Sequence, residues 1–471
     1  MKRVHRKIAA LLLAAVMGQT AAAMPVMAAV HTESSVTQEM CTAAYWIARS
    51  GDTAAVRLMS AEQIDRYNVA AFASADCHMN DLIHMNAAYD ATALKNSLAK
   101  STVDEMPSKP VWVNGTEADT KACYEYLAEC IAGSGWDGSR TPAYALAVSQ
   151  TQIRTIPSNA YIGYSATDTD DEAVSSSLRV NEPFVIKQYA LVNGELFFWG
   201  YSSNVSGWVD AADLAVCGSR AEWLSMWENE VNGTDFVVVT TDEFHLSQSH
   251  YSPATSELKL TMGTTLKLVP ENELPGNIAG RGTWNNYAVY VPTRDANGNM
   301  VKQIALIAQN REVSVGYLPM TSANIVTLAF EYLGDTYGWG GMLDSVDCSA
   351  FVRNVYKCFG LEMPRNTNWQ KCVPGTCADV STMDDAQKTA AFAGCVPGMP
   401  LYMSGHTMLY LGTVDGVNYV ISAMGSASDS GGELEIQAQN SVTITPLTVR
   451  RRNGSTWLNN INSGVMPWLI P

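Results

Sequence analysis

One of the ten cysteines, Cys348, lies where the sequence favours a reactive thiol. Gly340 and Gly341 precede it and an amphipathic run over 351–359 follows, so Cys348 is predicted to lie where a loop meets a helix. Unpaired N–H groups at a helix N-terminus favour negative charge, so we expect a lowered thiol pKa. The Cys348 N–H would also point towards a developing oxyanion. A buried or bridged cysteine is the commoner role, but this context favours a nucleophile.

The candidate base for this thiol is His406, the only histidine after Met320. It lies 58 residues beyond Cys348 and follows Ser404-Gly405 at the start of an apolar strand, where its ring can project into a cleft. A lone histidine at a strand end is usually a surface residue. A helix-borne cysteine followed by a strand-borne histidine is, however, the order of papain-like folds, and this favours His406 as the base.

The elements that must position this pair lie in residues 320–471, whose pattern is typical of an α+β domain. A helix capped by Thr321 or Ser322 is expected first, and a second helix is expected over 348–359. A hairpin turn is expected at Asp415-Gly416. The expected strands are Met399–Met403, His406–Val414, Asn418–Met424 and Ser441–Thr445.

Three regions are predicted before this domain. Residues 31–140 have a helical pattern, with a capping-box signal at Ser60 and Gln63. Residues 141–217 and 218–319 are interpreted as two divergent copies of one small all-β module, because short strands alternate with turn signals. Both copies resemble bacterial SH3-like barrels.

Residues 1–30 are expected to be a secretory signal peptide, because a basic start is followed by a short apolar run and then by small residues. No later stretch reaches about 18 apolar residues, so no membrane span is expected in a protein that is secreted or periplasmic. The formal net charge of −16 and the absence of a basic cluster make nucleic acid an unexpected partner.

The cysteine and histidine pattern leaves disulfides open and gives little support to a metal site. Export permits disulfides, and Cys372 and Cys377 are close enough in sequence to form a small loop. Pairing within the first domain is another possibility, among Cys41, Cys77, Cys123 and Cys130. There is no paired C-x-x-C motif and histidines are few, so neither a metal nor a cofactor is predicted. His78 and His84 are interpreted as polar helix surface.

Four linked groups of residues in about the last 150 positions resemble the signature of NlpC-type cell-wall cysteine peptidases. These groups are Thr336-Tyr337-Gly338-Trp339-Gly340-Gly341, Asp347-Cys348-Ser349-Ala350-Phe351-Val352, Met363-Pro364-Arg365-Asn366-Thr367 with Gln370, and Gly405-His406-Thr407-Met408-Leu409-Tyr410-Leu411-Gly412. The regions before them are similar to a multi-domain subgroup of that family. The resemblance implies a helical N-terminal domain, two small all-β SH3-like barrels and a C-terminal α+β papain-like domain.

Members of this subgroup cleave γ-D-glutamyl–diamino-acid bonds in wall peptides that have a free N-terminal L-alanine. The resemblance implies that Asp347 and Tyr337 hold the substrate amine, because a carboxylate suits an ammonium group. Ser349 and Thr367 match hydroxyl positions near the same pocket. Further amine contacts are expected from the first barrel, with Glu172 of the acidic loop 168–172 as a candidate.

One position departs from the family pattern. Ser422 stands where the family usually has a polar residue, often histidine, that orients the catalytic ring. A two-residue turn at Asp415-Gly416 would pair Ser422 with Leu409, on the face opposite His406, whereas a three-residue loop would place both on one face. Other candidates for the third residue are Asn440 and Gln437. A working dyad, a substituted triad and lost activity therefore remain open.

The leading hypothesis is hydrolysis of peptidoglycan stem peptides by the Cys348 thiolate through a thioester. The alternative is a catalytically weakened or inactive wall-binding protein, suggested by Ser422 and by the two barrels. A third interpretation is amide or acyl transfer on the same fold.

Overall fold

The computed structural model describes residues 32–428 and 436–466, without the side chain of Leu343. The segment predicted to be a signal peptide lies outside the described residues. Within the described residues, no helix is both long and apolar enough to cross a membrane. All ten cysteines belong to this part of the chain, and each is a free thiol there. Among the same residues, no three His, Cys, Asp or Glu side chains are arranged to hold a metal ion.

The N-terminal region is helical, as predicted, and the capping box of Ser60 and Gln63 is confirmed. Its helices are α1 (Ala43–Ser50), α2 (Ala61–Ala73), α3 (Ala91–Asp104) and α4 (Thr120–Gly133), with 3-10 helices at Glu39–Cys41, Gly51–Ala55, Ala75–Cys77 and Leu82–His84. Its short strands are β1 (Tyr89–Asp90), β2 (Val111–Val113), β3 (Thr116–Ala118) and β4 (Ser139–Arg140).

The helical region is divided between two hydrophobic cores. Trp46 and Tyr67, from its first half, are buried in one cluster with Phe351 and other residues of the C-terminal domain. Leu127 and Ile131, from its second half, belong to a different cluster, which they share with the β-sheet that follows. Residues 32–140 therefore fold against two other units rather than around a single core of their own.

The first β unit is a seven-stranded sheet in the order β12-β5-β9-β10-β11-β6-β8. A two-residue turn at Asn193-Gly194 joins two of its strands, since Val192 pairs with Glu195. The strands of this unit are β5 (Ala143–Ala147), β6 (Thr151–Arg154), β7 (Ile162–Gly163), β8 (Val174–Leu178), β9 (Pro183–Val192), β10 (Glu195–Tyr201), β11 (Ser206–Asp210) and β12 (Leu214–Val216). Strand β7 pairs with β2 and so joins this unit to the helical region.

The second β unit follows helix α5 (Arg220–Trp227) and consists of smaller pieces. Its strands are β13 (Phe236–Val239), β14 (Glu243–His245), β15 (Lys259–Thr261), β16 (Thr265–Lys267), β17 (Asn277–Ile278), β18 (Arg281–Gly282), β19 (Asn286–Arg294), β20 (Met300–Ala308) and β21 (Val313–Val315). The sequence pattern had not indicated β20, which forms a nine-residue ladder with β19. That the two β units are SH3-like barrels stays a prediction.

The C-terminal domain has helices on a six-stranded sheet in the order β22-β27-β23-β24-β25-β26. The helices are α6 (Ser322–Glu331), α7 (Cys348–Lys357), α8 (Thr367–Gln370), α9 (Asp385–Ala393) and α10 (Trp457–Asn460). The strands are β22 (Thr376–Asp379), β23 (Pro400–Met403), β24 (His406–Val414), β25 (Val417–Ala427), β26 (Gln437–Pro446) and β27 (Ile461–Met466). The expected helix at 348–359 and the expected strand His406–Val414 are both confirmed.

A β-bulge sets which residues of β25 face His406. The turn between β24 and β25 is the two-residue turn, because Val414 pairs with Val417. The register then shifts between Tyr410 and Gly412, so that Leu409 pairs with Ile421 instead of Ser422. Continuing this register brings Ser422 onto the same face as His406. The bulge, which we had not considered, therefore does what a longer turn would have done.

Candidate active site

Cys348 is the first residue of α7, at the loop-to-helix junction that the sequence predicted. Asp347 caps this helix, since its side chain accepts the N–H of Ala350 at 2.8 Å. The thiol is only 9% exposed. Burial, together with the charge of Asp347, raises its pKa to about 11. The expected lowering by the helix N-terminus is thus outweighed, because burial disfavours the thiolate.

His406 begins β24, and its Nε2 lies 3.1 Å from the Ser422 Oγ. A ring that donates from Nε2 to this hydroxyl keeps Nδ1 unprotonated, as a base requires. Burial and, to a smaller extent, the nearby charge of Arg451 lower the pKa of His406 to about 4. The ring is therefore neutral at physiological pH and can accept a proton.

The sulfur of Cys348 has two polar neighbours in addition to the helix N-terminus. The Thr367 hydroxyl lies 3.8 Å from Sγ, and the backbone N–H of Thr407, the residue after His406, lowers the pKa of the thiol. Among the described residues, Cys348 forms no hydrogen bond to His406. Proton transfer therefore needs the thiol and the ring to come into hydrogen-bond contact, as is common when substrate binds.

Asp347 is the centre of a buried polar network. It is 2% exposed and forms an ion pair with Arg365. Its carboxylate also accepts the Ser349 hydroxyl at 3.0 Å and the Gly340 N–H at 3.1 Å. With the N–H of Ala350 and the two guanidinium nitrogens, its oxygens have five donors. Because a carboxylate has about four lone-pair positions, Asp347 has no free position for a substrate ammonium group in this structure.

Ser349 and Gln370 belong to the same network rather than to an open cleft. The Ser349 hydroxyl accepts from Arg365 at 2.7 Å, and this serine is buried. Gln370 donates to the carbonyls of Ser349 and Pro364 at 2.9 and 3.0 Å, which ties α8 to α7. Of the two hydroxyl residues predicted near the substrate pocket, Thr367 lies beside the Cys348 thiol, whereas Ser349 forms hydrogen bonds with Asp347 and Arg365.

Tyr337 lies between α7 and the acidic loop of the first β unit. Burial raises the pKa of its phenol, and the neighbouring charges of Cys348, Asp347 and Asp170 raise it further. Glu172, the predicted contact, is half-buried in the same loop as Asp170. Neither carboxylate has a hydrogen-bond or ion-pair partner among the described residues. Burial and neighbouring acids raise the pKa of both, so this edge of the site favours a cation.

The first β unit is fitted tightly against the C-terminal domain at this site. Arg365 donates from Nε to the Ser175 carbonyl of β8 at 3.0 Å. A side chain at Gly340 would meet the Val174 carbonyl oxygen at 2.9 Å, and the φ of this glycine is +69°. The backbone N–H of Asp171 lies 3.3 Å from the Met342 sulfur. The acidic loop therefore belongs to the same assembly as Cys348.

Sequence reasoning missed three residues that the structure brings to the site. Arg365 lies in one of the motifs of the family resemblance, but the sequence indicated no role for it. Asp170 was one of several acidic residues in the loop 168–172. Trp457, whose ring packs against His406, had no local signal at all. Each of these contacts joins segments far apart in the chain, so their pairing required the fold.

Comparison with known proteins gives a family for the C-terminal domain. The profile of the NlpC/P60 family matches residues 334–459. The chain is similar to the solved structure of an NlpC/P60 endopeptidase from Photobacterium damselae subsp. piscicida, with 15% identity, a TM-score of 0.68, and coverage of 94% of this chain and 99% of that one. An NlpC/P60 family protein from Bacillus cereus has 15% identity and a TM-score of 0.45, with coverage of 70% of this chain and 100% of that one. No curated protein sequence matches.

The Photobacterium structure extends the likeness in fold beyond the C-terminal domain, since nearly all of both chains is covered. The matched segment 334–459 contains Cys348, His406 and Ser422. Residues 334–459 therefore form an NlpC/P60 domain, and members of the NlpC/P60 family are cysteine-dependent cell-wall peptidases.

Proposed function

We propose that this protein is an exported cysteine peptidase that hydrolyses γ-D-glutamyl–diamino-acid bonds in peptidoglycan stem peptides with a free N-terminal L-alanine. The observation that carries the catalytic part is the His406–Ser422 hydrogen bond of 3.1 Å, beside a cysteine at a helix N-terminus. This hydrogen bond gives the His406 base an orienting partner, although position 422 has a serine where the family often has a histidine. The NlpC/P60 domain supports the substrate class.

In the proposed reaction, His406 accepts the thiol proton of Cys348 through Nδ1, and the thiolate attacks the γ-glutamyl carbonyl carbon. The N–H of Cys348, in the first turn of α7, stabilises the oxyanion. The carbon–nitrogen bond then breaks, and the leaving amine takes the proton from His406. Water, deprotonated by His406, hydrolyses the thioester, which releases the acid and restores the thiol.

We assign recognition of the free amine to the acidic loop. Within the part of the chain that the structure describes, the carboxylates of Asp170 and Glu172 have no hydrogen-bond or ion-pair partner, and the charges of both Asp170 and Cys348 act on the Tyr337 phenol. A substrate ammonium group would neutralise charges that now repel one another. Asp347, expected to make this contact, is instead held by Arg365 and maintains the start of α7.

The test of this assignment is cleavage of L-Ala-γ-D-Glu-diaminopimelate with and without an N-acetyl cap, followed by mass spectrometry. We expect L-Ala-D-Glu from the free tripeptide only. Asp170→Asn and Glu172→Gln should each raise KM about tenfold or more, as loss of a charged hydrogen bond does. Glu195→Gln, an exposed carboxylate of the same β unit, is the control. Equal cleavage of the capped peptide would refute the amine pocket.

The alternative of an inactive wall-binding protein was suggested by Ser422, and the hydrogen bond of Ser422 to His406 favours catalysis instead. A reduced, folded protein that cleaves neither peptide but is retained by purified wall would establish the alternative. Acyl transfer would be recognised by a new amide product when an amine acceptor is added.

A further inference from the structure

The ring of His406 is confined from a second direction by Trp457. The two ring centroids are 5.0 Å apart and the planes meet at 62°, an edge-on arrangement typical of attractive aromatic contacts. Trp457 is 4% exposed, so the indole shields this side of the imidazole from water. No part of the proposed reaction uses this tryptophan.

The backbone under Trp457 is fixed to the sheet that carries the catalytic residues. Trp457 donates its N–H to the Val449 carbonyl at 2.8 Å, and Leu458 donates to the Leu447 carbonyl at 2.9 Å. The Thr456 side chain caps α10 by accepting the N–H of Asn459 at 3.1 Å. These main-chain hydrogen bonds fix the backbone segment that carries the indole.

The hydrogen bond to Ser422 does not by itself fix either the tautomer or the orientation of the His406 imidazole. A hydroxyl can donate or accept, so it does not select the Nε2–H tautomer as a carbonyl would. A single bond also leaves the ring able to turn over. A packed indole opposes this turning, because an edge-on partner covers one side of the imidazole. The Ser422 hydroxyl thus restrains the His406 ring by a hydrogen bond, and the Trp457 indole restrains it by packing.

We propose that Trp457 is a positioning residue for His406, and that its indole compensates for a hydroxyl at position 422. The proposal rests on the proposed peptidase function. Other groups that act on this ring are the Arg451 and Asp347 charges and the Ser422 hydroxyl. Arg451, in the loop that follows β26, also donates to the carbonyl of Ser404 at 3.3 Å. This loop therefore contacts the turn that leads into β24 and His406.

The test compares Trp457→Leu, which keeps apolar volume but loses the aromatic edge, with Trp457→Phe, which keeps an aromatic ring. We expect kcat on the free tripeptide to fall about tenfold or more in Trp457→Leu, with KM changed less than about twofold, since positioning acts on the proton transfer. Trp457→Phe should lose roughly threefold or less. The matched control is Trp223→Leu, a buried tryptophan of another hydrophobic core, whose members all precede the C-terminal domain.

A second readout does not need activity. In 15N spectra of the imidazole, assigned with His406→Gln, wild-type protein should show one Nε2–H tautomer and Trp457→Leu a mixture. Loss of the indole should also raise the pKa of His406 towards its ordinary value, because the ring becomes hydrated. The acid limb of kcat/KM should then move to higher pH.

Unchanged kcat and an unchanged tautomer in a folded Trp457→Leu protein would overturn the proposal. If Trp457→Leu does not fold, Trp457→Met, whose flexible side chain has a similar volume and adapts better to an irregular gap, is judged by the same criteria. If the wild type cleaves no wall peptide, the peptidase assignment fails on its own, and the ring spectra still decide whether Trp457 positions His406.

Discussion

Burial of Cys348 and His406 gives the site a neutral resting pair rather than a thiolate and an imidazolium. The pKa of the thiol is raised to about 11 and that of the imidazole is lowered to about 4, so between these values both groups are uncharged. Nucleophilicity must then arise when substrate arrives and the proton moves to His406. This differs from the pre-formed thiolate that the helix N-terminus had led us to expect.

A neutral resting thiol has a direct consequence for alkylation. The rate of Cys348 modification by iodoacetamide should rise about tenfold per pH unit from neutrality towards pH 11, because only the thiolate reacts. Peptide mass spectrometry separates Cys348 from the other nine cysteines, with Cys348→Ala as the control. A plateau already reached in mildly acidic buffer would show an ion pair instead.

The ion pair of Asp347 and Arg365 makes a prediction for stability. Arg365→Met should lower the unfolding free energy by about 3–5 kcal/mol, because it leaves a buried carboxylate unpaired. Arg365 holds the pKa of Asp347 below its ordinary value, so this stabilisation is present above about pH 4 and is lost as pH falls through the folded pKa. Urea denaturation at neutral and acidic pH measures both effects. The double variant Asp347→Asn with Arg365→Met should recover part of the loss, and equal stability of Arg365→Met and wild type would contradict this account.

Residue types and motif spacing pointed to Cys348 and His406, and the family resemblance pointed to Ser422, with Asn440 and Gln437 as other candidates. These signals were not enough to select Arg365, Asp170 or Trp457, because a charge or an aromatic ring has a role only once its neighbour is known. The pKa of Cys348 was misjudged for the same reason, since burial depends on the whole fold.

Among the elements, the bulge in β24 decides whether the site is assembled. Gly412 at this bulge has φ of +150°, a backbone conformation that residues with a side chain rarely adopt. Sequence reasoning correctly placed β24, β25 and the Asp415-Gly416 turn. It did not foresee the bulge, because residues 407–411 of β24 are buried on both faces, so the strand has no apolar–polar alternation that an extra residue would interrupt.

Gly412→Val should therefore disrupt catalysis more than folding. We expect a loss of about 1–3 kcal/mol in unfolding free energy, and a larger loss of kcat as Ser422 moves away from His406. Steady-state cleavage and thermal unfolding measure the two effects. Gly394→Ala is the control, because its φ is ordinary and an added methyl group would meet nothing closer than 3.8 Å. If Gly412→Val keeps wild-type kcat, the bulge does not set the register that the site needs.

For the molecule as a whole, the first half of the N-terminal helical region and the C-terminal domain share one hydrophobic core. Trp46 of α1 packs on Tyr419 of β25 with centroids 5.6 Å apart, within a single buried cluster. The order of regions was predictable from composition and turn signals. The sharing of cores was not, because a helix pattern shows that one face is buried but not which partner buries it.

Trp46→Ala should consequently destabilise the catalytic domain although it lies outside that domain in sequence. We expect a cost of about 3–5 kcal/mol from the cavity and one unfolding transition for the full chain. Calorimetry measures both. Trp284→Ala provides the control, since Trp284 is 90% exposed and its removal should change stability by less than about 0.5 kcal/mol. Two separate unfolding transitions, of which only one is shifted, would show that α1 unfolds independently of the catalytic domain.

In the proposed function, Cys348 cleaves wall peptides with His406 as its base and Ser422 as the orienting partner of His406. The most direct test is the rate of L-Ala-D-Glu release from the free tripeptide by reduced wild-type, Cys348→Ala and Ser422→Ala proteins. We predict turnover by the wild type, none by Cys348→Ala, and a rate lower by about tenfold to a hundredfold in Ser422→Ala. Release of the same product by folded Cys348→Ala protein, or no release by the wild type, would contradict the account.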